Sequence, residues 1–373
     1  MSKLDFEQLL NLKLLLSVEG IGPGKIRNLL SRLKSTEKIL AADFNSLIQV
    51  EGINTNLAKR ILQIKSSRDT ISGQLKSEIE SLDKIGADII TVWDPEFPPL
   101  LKKIYDPPLL LYILGSLNEA DNYLISIVGT RQPTNYGKVQ AEKITSELVE
   151  QNITILSGMA RGIDSIAHNT ALKNKGRTIA VIGSGLDVIY PPENNKLFNE
   201  IAESGAVISE FAPGTKPDAV NFPKRNRIIA GLGLGCIVIE TAITGGAMQT
   251  AALALDSNRE VFAVPGNLGV KQAEGTNFLI QKGEAKLIRS AEDVLLELEL
   301  KLKPVIGKNI PKQQVDLNMF EEKILSTISA EPLQIDKIAS LTNLTTSDCL
   351  VHLLSLEFKG LIKQLPGKVF ALL

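Results

Sequence analysis

Between residues 221 and 240 the chain reads NFPKRNRIIAGLGLGCIVIE. Phe222, Lys224, Arg225, Asn226 and Arg227 crowd together ahead of an apolar run, in a chain whose formal net charge is only −1. Cations beside an aromatic ring are the parts of a single-stranded nucleic-acid groove, in which phosphates meet Lys or Arg and a base stacks on the ring. A competing reading makes the three cations a solvated face balanced by acids such as Asp218, with Phe222 in the core. Three other segments carry the small residues that an anion site needs. They are Gly129-Thr130-Arg131, Ser157-Gly158 ahead of "MARGID", and Thr244-Gly245-Gly246 ahead of "AMQTAALAL". Glycine lets the backbone approach an anion closely, and the free amides of a helix N-terminus supply donors. One such loop is ordinary turn chemistry. Several lining one crevice point to an anionic ligand.

Other chemistries find little support. No Gly-x-x-x-x-Gly-Lys-Ser/Thr occurs, so P-loop nucleotide hydrolysis is not expected. "IGSGLD" lacks the third glycine of a dinucleotide fingerprint. Ser157, Asp164 and His168 invite comparison with a catalytic triad. Asp164 and His168, however, fall on one helical pattern, and Ser157 has no nucleophile-elbow signature, so capping and packing suit them better. Two histidines and two cysteines give no zinc spacing, and neither a metal nor another cofactor is expected. Cys236 and Cys349 lie far apart in apolar runs, as buried reduced thiols do. No apolar stretch approaches the roughly 20 residues of a membrane helix. Asp5 and Glu7 stand where a signal peptide is basic and then apolar, so a cytoplasmic location without membrane contact is expected.

The elements that must position these residues follow from periodicity. From Leu124 onward, short apolar runs ("LISIVG", "ITILSG", "TIAVIG", "AVISE", "CIVIE", "EVFAVPG") alternate with helical stretches. Continuous rather than alternating apolar strands have both faces covered, which predicts a doubly wound α/β domain with a mostly parallel sheet. Ligands bind beyond the carboxyl ends of such strands, where the glycine loops fall. The basic segment lies between "AVISE" and "CIVIE", so a right-handed winding brings it to the same edge. Upstream, the prolines of "GADIITVWDPEFPPLLKKIYDPPLLLYILG" indicate a strand, a turn and a second strand.

The ends of the chain read as separate modules. "SVEGIGPGKIRNLL" from Ser17 and "QVEGINTNLAKRIL" from Gln49 echo one another, each as helix, glycine turn and helix. This is the helix-hairpin-helix pattern, whose turn amides can hold a DNA phosphate or simply pack. The first copy, with Gly20, Gly22, Gly24, Lys25 and Arg27, suits phosphate binding. In the second, Asn54 and Asn56 replace Gly22 and Gly24. The predicted organisation is a helical helix-hairpin-helix or SAM-like domain over 1–85, the α/β core over 86–300, a linker over 301–314 and a winged-helix domain over 315–373. The presumptive recognition helix, "TTSDCLVHLLSLEFKG", offers only Lys359 against Asp348 and Glu357, so protein contact or packing suits it better than DNA.

Taken together, these motifs resemble the DprA (Smf) family of DNA-processing proteins from bacterial natural transformation. The likeness runs from about residue 90 to 290 through "FPPLLKKIYDPPLLLYILG", "IVGTRQPTNYG", "LSGMARGIDSIAH", "VIGSGLDVIYPPEN", "ISEFAPGTKPDAVNFPKRNRIIAGL", "GGAMQTAALAL" and "GTNFLIQKGEAKLI". The resemblance implies a Rossmann-like core that binds single-stranded DNA, forms a homodimer through that core, and helps load the recombinase RecA on incoming DNA while protecting it. It implies a mediator rather than an enzyme. The implied DNA pocket falls on Gly129, Thr130 and Arg131, on Phe222 within the segment through Arg227 (Lys224, Arg225, Asn226 and Arg227), and on Gly245 and Gly246; the loop chemistry adds Ser157 and Gly158 to the candidate DNA-binding residues. Most family members carry Ser-Gly where this chain has Gly245-Gly246, which removes one hydroxyl and leaves the backbone amides. An alternative likeness is to Rossmann enzymes that cleave nucleoside monophosphates, signature Pro-Gly-Gly-x-Gly-Thr-x-x-Glu. Here Thr244, Met248, Gln249 and Ala252 replace the Pro, third Gly, Thr and Glu, and the missing carboxylate removes the group expected to assist glycosidic cleavage. A winged-helix transcription regulator is disfavoured by the acidic recognition helix.

Overall fold

The structure of the chain, a computed structural model, describes residues 4–298, 317–328, 333–342, 344–358, 362–365 and 369–372. It divides into two compact units, Met1–Lys301 and Leu302–Leu373. The linker expected over 301–314 lies outside the described residues.

The first unit begins with six helices: α1 (Phe6–Leu16), α2 (Pro23–Leu33), α3 (Thr36–Ala41), α4 (Phe44–Ile48), α5 (Thr55–Gln63) and α6 (Arg68–Ile85). The sequence echo is a structural repeat. Gly20 (φ +87°) and Gly52 (φ +82°) both take the left-handed conformation that only glycine adopts without cost. The same turn bonds recur, Val18 N to Leu15 O with Ile21 N to Val18 O, and Val50 N to Leu47 O with Ile53 N to Val50 O. The copies differ at the following helix. Gly22 leaves the α2 N-terminus without a side-chain cap, whereas Asn54 accepts a bond from Leu57 N at 2.9 Å. The first turn keeps its cations busy as well, because Lys25 Nζ bonds the Gly20 carbonyl and Arg27 bonds the Tyr105 carbonyl, each at 2.8 Å.

The α/β core is one nine-stranded sheet. Its strands are β1 (Ala87–Thr91), β2 (Leu110–Gly115), β3 (Leu124–Val128), β4 (Thr154–Ser157), β5 (Thr178–Ile182), β6 (Ala206–Ser209), β7 (Gly235–Val238), β8 (Glu260–Ala263) and β9 (Lys286–Leu287), in the order β1-β2-β6-β5-β4-β3-β7-β8-β9. β1 with β2 and β2 with β6 pair antiparallel, and all other neighbours are parallel. Seven helices complete the layers: α7 (Asn135–Glu150), α8 (Ile163–Lys173), α9 (Asn195–Ser204), α10 (Asn221–Leu232), α11 (Gly246–Asp256), α12 (Lys271–Lys282) and α13 (Ala291–Glu297). Every residue of β3 to β7 is buried, which is why these strands read as unbroken apolar runs. Along β5, Ala180 and Ile182 join the core beneath the N-terminal helices, and Ile179 and Val181 join the opposite one. The chain proceeds outward from β3 through β4, β5 and β6, then returns to β7 on the other side of β3. The topological switch point therefore lies between β3 and β7. Cys236 sits inside β7, where burial pushes its thiol up to about 12.

The second unit is a winged helix. It contains α14 (Met319–Thr327), β10 (Leu333–Gln334), α15 (Ile335–Thr342), α16 (Thr346–Phe358), β11 (Ile362–Leu365) and β12 (Val369–Leu372), with a β10-β12-β11 antiparallel sheet. Ile324, Ile338, Leu353, Leu356 and Phe370 fill its core. Asn318 and Glu321 form a reciprocal capping box at α14. Lys359, the one cation expected for the recognition helix, lies outside the described residues.

Candidate nucleic-acid interface

Beyond the carboxyl ends of β3 and β7 opens a cleft of about 850 Å³. The loop Gly129–Gln132 after β3, one face of α10, and the start of α11 at Gly245 and Gly246 line much of it, joined by Asp164, Tyr190 and Thr241. Gly245 offers no side-chain cap, so the helix opens toward the cleft with bare backbone.

Helical geometry divides the basic segment. At about 100° per residue, Phe222, Arg225, Asn226 and Ile229 fall on one face of α10 and line the cleft. Lys224 and Arg227 fall on the other face, beside a separate cavity of about 520 Å³ that Lys13 and Tyr112 also border. Arg227 bonds Glu210 Oε1 at 2.6 Å and lies 3.8 Å from Asp106 Oδ2. The expectation of one patch containing all three cations is corrected on this point: only Arg225 faces the cleft. The acids that balance Arg227 are Glu210 and Asp106, while Asp218 accepts from Val220 N in a local turn.

Two guanidinium groups lie close to the Phe222 ring. Arg131 Cζ lies 5.5 Å and Arg225 Cζ 5.8 Å from its ring centroid. The ring is half-buried and forms a tilted pair with Tyr190 at 6.0 Å. Arg131 is exposed, but Arg225 is only 5% exposed. Burial brings the Arg225 guanidinium down to about 10; Asp164 opposes that fall and Arg131 adds to it. Its Nε has no hydrogen-bond partner among the described residues. A desolvated cation with spare donors at the floor of a cleft is prepared for an anion.

The small residues around Arg225 make room for it. A Cβ added at Gly158 would sit 1.4 Å from Arg225 Nη1, so no other residue permits this placement. Gly158 borders a small recess beside the cleft that Gly183, Tyr190, Phe222 and Arg225 also line. Ser157 lines neither space, because its buried hydroxyl donates to Ile127 O at 2.6 Å. Asp164 beneath Gly158 is buried, which pushes its carboxyl up, and Arg225 offsets part of that rise. His168 shares a 2.6 Å bond between Nδ1 and Thr178 Oγ1, and burial, aided by Arg225, depresses it to about 3. Asp164 borders the cleft and interacts with the Ser157 side chain, whereas His168 turns to Thr178, so the three do not form a Ser–His–Asp relay. Tyr190 escaped the sequence reading, although its place after β5 in "VIYPPEN" put it at the ligand-binding edge.

A Rossmann-type sheet with an anion-ready cleft at its switch point, preceded by paired helical hairpins and accompanied by a winged helix, defines a class of multidomain DNA-handling folds. Residues 88–299 match the family model of DNA recombination-mediator protein A, residues 12–87 that of the SAM-like helix-hairpin-helix tandem, and residues 311–368 that of the DprA winged helix domain. The chain belongs to the DNA recombination-mediator protein A (DprA/Smf) family. It is 36% identical to Protein Smf of Synechocystis, over 94% of this chain and 95% of that one. Among solved structures it is similar to DprA of Streptococcus pneumoniae, with a TM-score of 0.66 at 34% identity over 80% of this chain and 99% of that one. It is also similar to DNA processing protein A of Helicobacter pylori, described for its unique single-stranded DNA binding mode, with a TM-score of 0.51 at 31% identity over 57% of this chain and 96% of that one.

Proposed function

We propose that the chain is a single-stranded DNA-binding recombination mediator of natural transformation, which protects incoming DNA and loads RecA upon it. It works as a homodimer through the Rossmann-like core. The observation that carries this reading is the proximity of Arg131 and Arg225 to the Phe222 ring within a glycine-lined cleft. A flat ring flanked by cations accepts a base against its face and phosphates at its edges, with little dependence on sequence. The names borne by family relatives, which refer to DNA processing and in one case to single-stranded DNA binding, support the same reading.

The test is binding of labelled single- and double-stranded oligonucleotides across a salt series. Single strands should bind far more tightly than duplex, with a log–log salt slope of about −0.7 for each phosphate neutralised. Arg131→Ala should weaken that binding in a folded protein. Addition of the chain to single strands coated with a single-strand-binding protein should shorten the lag of RecA ATP hydrolysis. Equal affinity for duplex, or wild-type affinity in Arg131→Ala, would overturn the DNA-binding reading. An unchanged lag would remove the RecA step alone.

A further inference from the structure

Glu240 lies just past β7 and is only 3% exposed. A carboxylate beside an anion site opposes the ligand electrostatically, so its presence requires a compensating task. The bonds it makes supply one. Its backbone carbonyl accepts from Thr130 N at 2.7 Å. Its carboxylate accepts from Thr134 N at 2.8 Å through Oε2 and from Thr134 Oγ1 at 2.5 Å through Oε1. The Thr134 hydroxyl in turn accepts from Gly137 N at 3.1 Å and so starts α7. Gly137 packs so closely on this carboxylate that a Cβ there would sit 2.2 Å from Oε2.

Residue 240 therefore grips the loop after β3 at both ends, Thr130 through its main-chain carbonyl, which any residue would supply, and Thr134 through the carboxylate that is particular to glutamate. Between those anchors is Arg131, an exposed cation that lines the cleft and lies over the Phe222 ring, its side chain without a hydrogen bond or ion pair among the described residues. The reach of a long exposed cation is set by the backbone that carries it, and a buried charge-assisted clamp is the stiffest local means of setting that backbone. We propose that Glu240 is a positioning residue that holds the 130–134 loop so that Arg131 meets a phosphate of the strand bound across Phe222. This inference rests on the reading of the cleft as a single-stranded DNA site.

The test uses the full chain and a fluorescein-labelled oligothymidylate across a salt series, with Arg131→Ala, Glu240→Ala and the double variant. Glu240→Ala should weaken binding about 10-fold, as loss of a charge-assisted contact does. It should also make the log–log slope shallower by about 0.7, as Arg131→Ala does. The double variant should bind no more weakly than Arg131→Ala alone, because both changes remove the same contact. A general loss of stability would leave the slope unchanged, and independent roles would multiply the two losses; either result overturns the proposal. Glu240→Gln, which keeps one acceptor, should fall between wild type and Glu240→Ala. If Glu240→Ala does not fold, Thr134→Val removes only the hydroxyl and should show the same non-additivity at smaller size; wild-type affinity and slope there overturn the proposal too. The outcomes also separate the two levels of the argument. Wild-type binding by Arg131→Ala sinks the cleft assignment and this inference with it, whereas weakened Arg131→Ala beside wild-type Glu240→Ala sinks only the positioning role.

Discussion

Replacing Gly158 by alanine perturbs the cleft without replacing a charged residue. The new Cβ would lie 1.4 Å from Arg225 Nη1, 2.5 Å from its Cζ and 2.9 Å from Asp164 Oδ2. Ordinary contact begins near 3.5 Å, so the guanidinium must retreat by about 2 Å. The colliding atoms belong to the end of a flexible side chain, so the arginine gives way and the backbone stays. Asp164 loses part of its counter-charge, and stability should fall by about 1–3 kcal/mol, within the range of a perturbed buried polar group. Binding should suffer more specifically. A hydrogen bond to a charged group contributes about 1.5–3 kcal/mol, so a misplaced Arg225 should cost about 10- to 150-fold in affinity. The salt slope should become shallower by about 0.7, the signature of one lost phosphate contact. Fluorescence anisotropy on labelled oligothymidylate at several salt concentrations, with a thermal melt of each protein, measures all three quantities. Wild-type affinity and slope in a folded Gly158→Ala protein would show that Arg225 does not touch the strand.

Phe222→Ala should cost about 1–3 kcal/mol of single-strand affinity and leave the salt slope unchanged, because a ring neutralises no phosphate; a shifted slope would assign the loss to disturbed arginines instead. Arg227→Ala should lower stability by about 1–3 kcal/mol through its lost contact with Glu210, while affinity stays within about twofold; this is checked by melting and anisotropy on the same sample. The double variant Arg225→Met/Asp164→Asn removes a buried cation with its counter-charge, so it should fold with near-native stability yet bind weakly. His168 is held at about 3 against 6.5 in the unfolded chain, so between those values the unfolded state binds more protons. Stability should therefore fall as pH drops through that window, by about 1.4 kcal/mol per unit at most from this group. His168→Asn should flatten the decline in melting temperature between pH 6.5 and 4, and an equally steep decline would contradict the assignment.

The centre of the sheet was readable because β3 to β7 are buried on both faces. Six apolar runs correspond to β3 through β8, and the glycines that end several of them mark the loops of the binding edge. The paired hairpins were readable from a repeated Val-Glu-Gly-Ile, whose glycines share one backbone conformation. Even the doubt over the second hairpin has a physical counterpart, since Asn54 occupies with its own oxygen an amide that a phosphate would need. The division of Lys224, Arg225 and Arg227 was less accessible. A helix was evident, but its rotation against the sheet depends on where Ile228 and Ile229 pack, and charge counting ignores that phase. Spacing alone pairs Phe222 with Arg225 and Asn226, and Lys224 with Arg227, yet leaves open which pair faces the edge. Glu240 was hidden for another reason. Its partners Thr130 and Thr134 lie more than a hundred residues earlier in the chain, and no local pattern announces such a bond.

The cleft combines three groups that respond differently to ionic strength. Arg131 is exposed, so its attraction acts through solvent and is screened beyond the Debye length, about 8 Å at physiological salt. Arg225 is desolvated, and its interaction with a phosphate is strong only at contact. Desolvation has a cost, visible in its depressed pKa of about 10, and that cost is offset once an anion occupies the floor. Phe222 contributes by stacking, which counterions scarcely affect. On the proposed reading, capture of a strand would be the task of Arg131, discrimination of a threaded single strand from a duplex would belong to the recessed Arg225, and retention would fall to the ring. A duplex can offer its backbone to Arg131, but its bases are stacked on one another and cannot cover Phe222, so it forfeits two of the three terms. On the proposed reading, a preference for single strands would follow from burial depth rather than from the amount of positive charge, in a chain whose formal net charge is only −1.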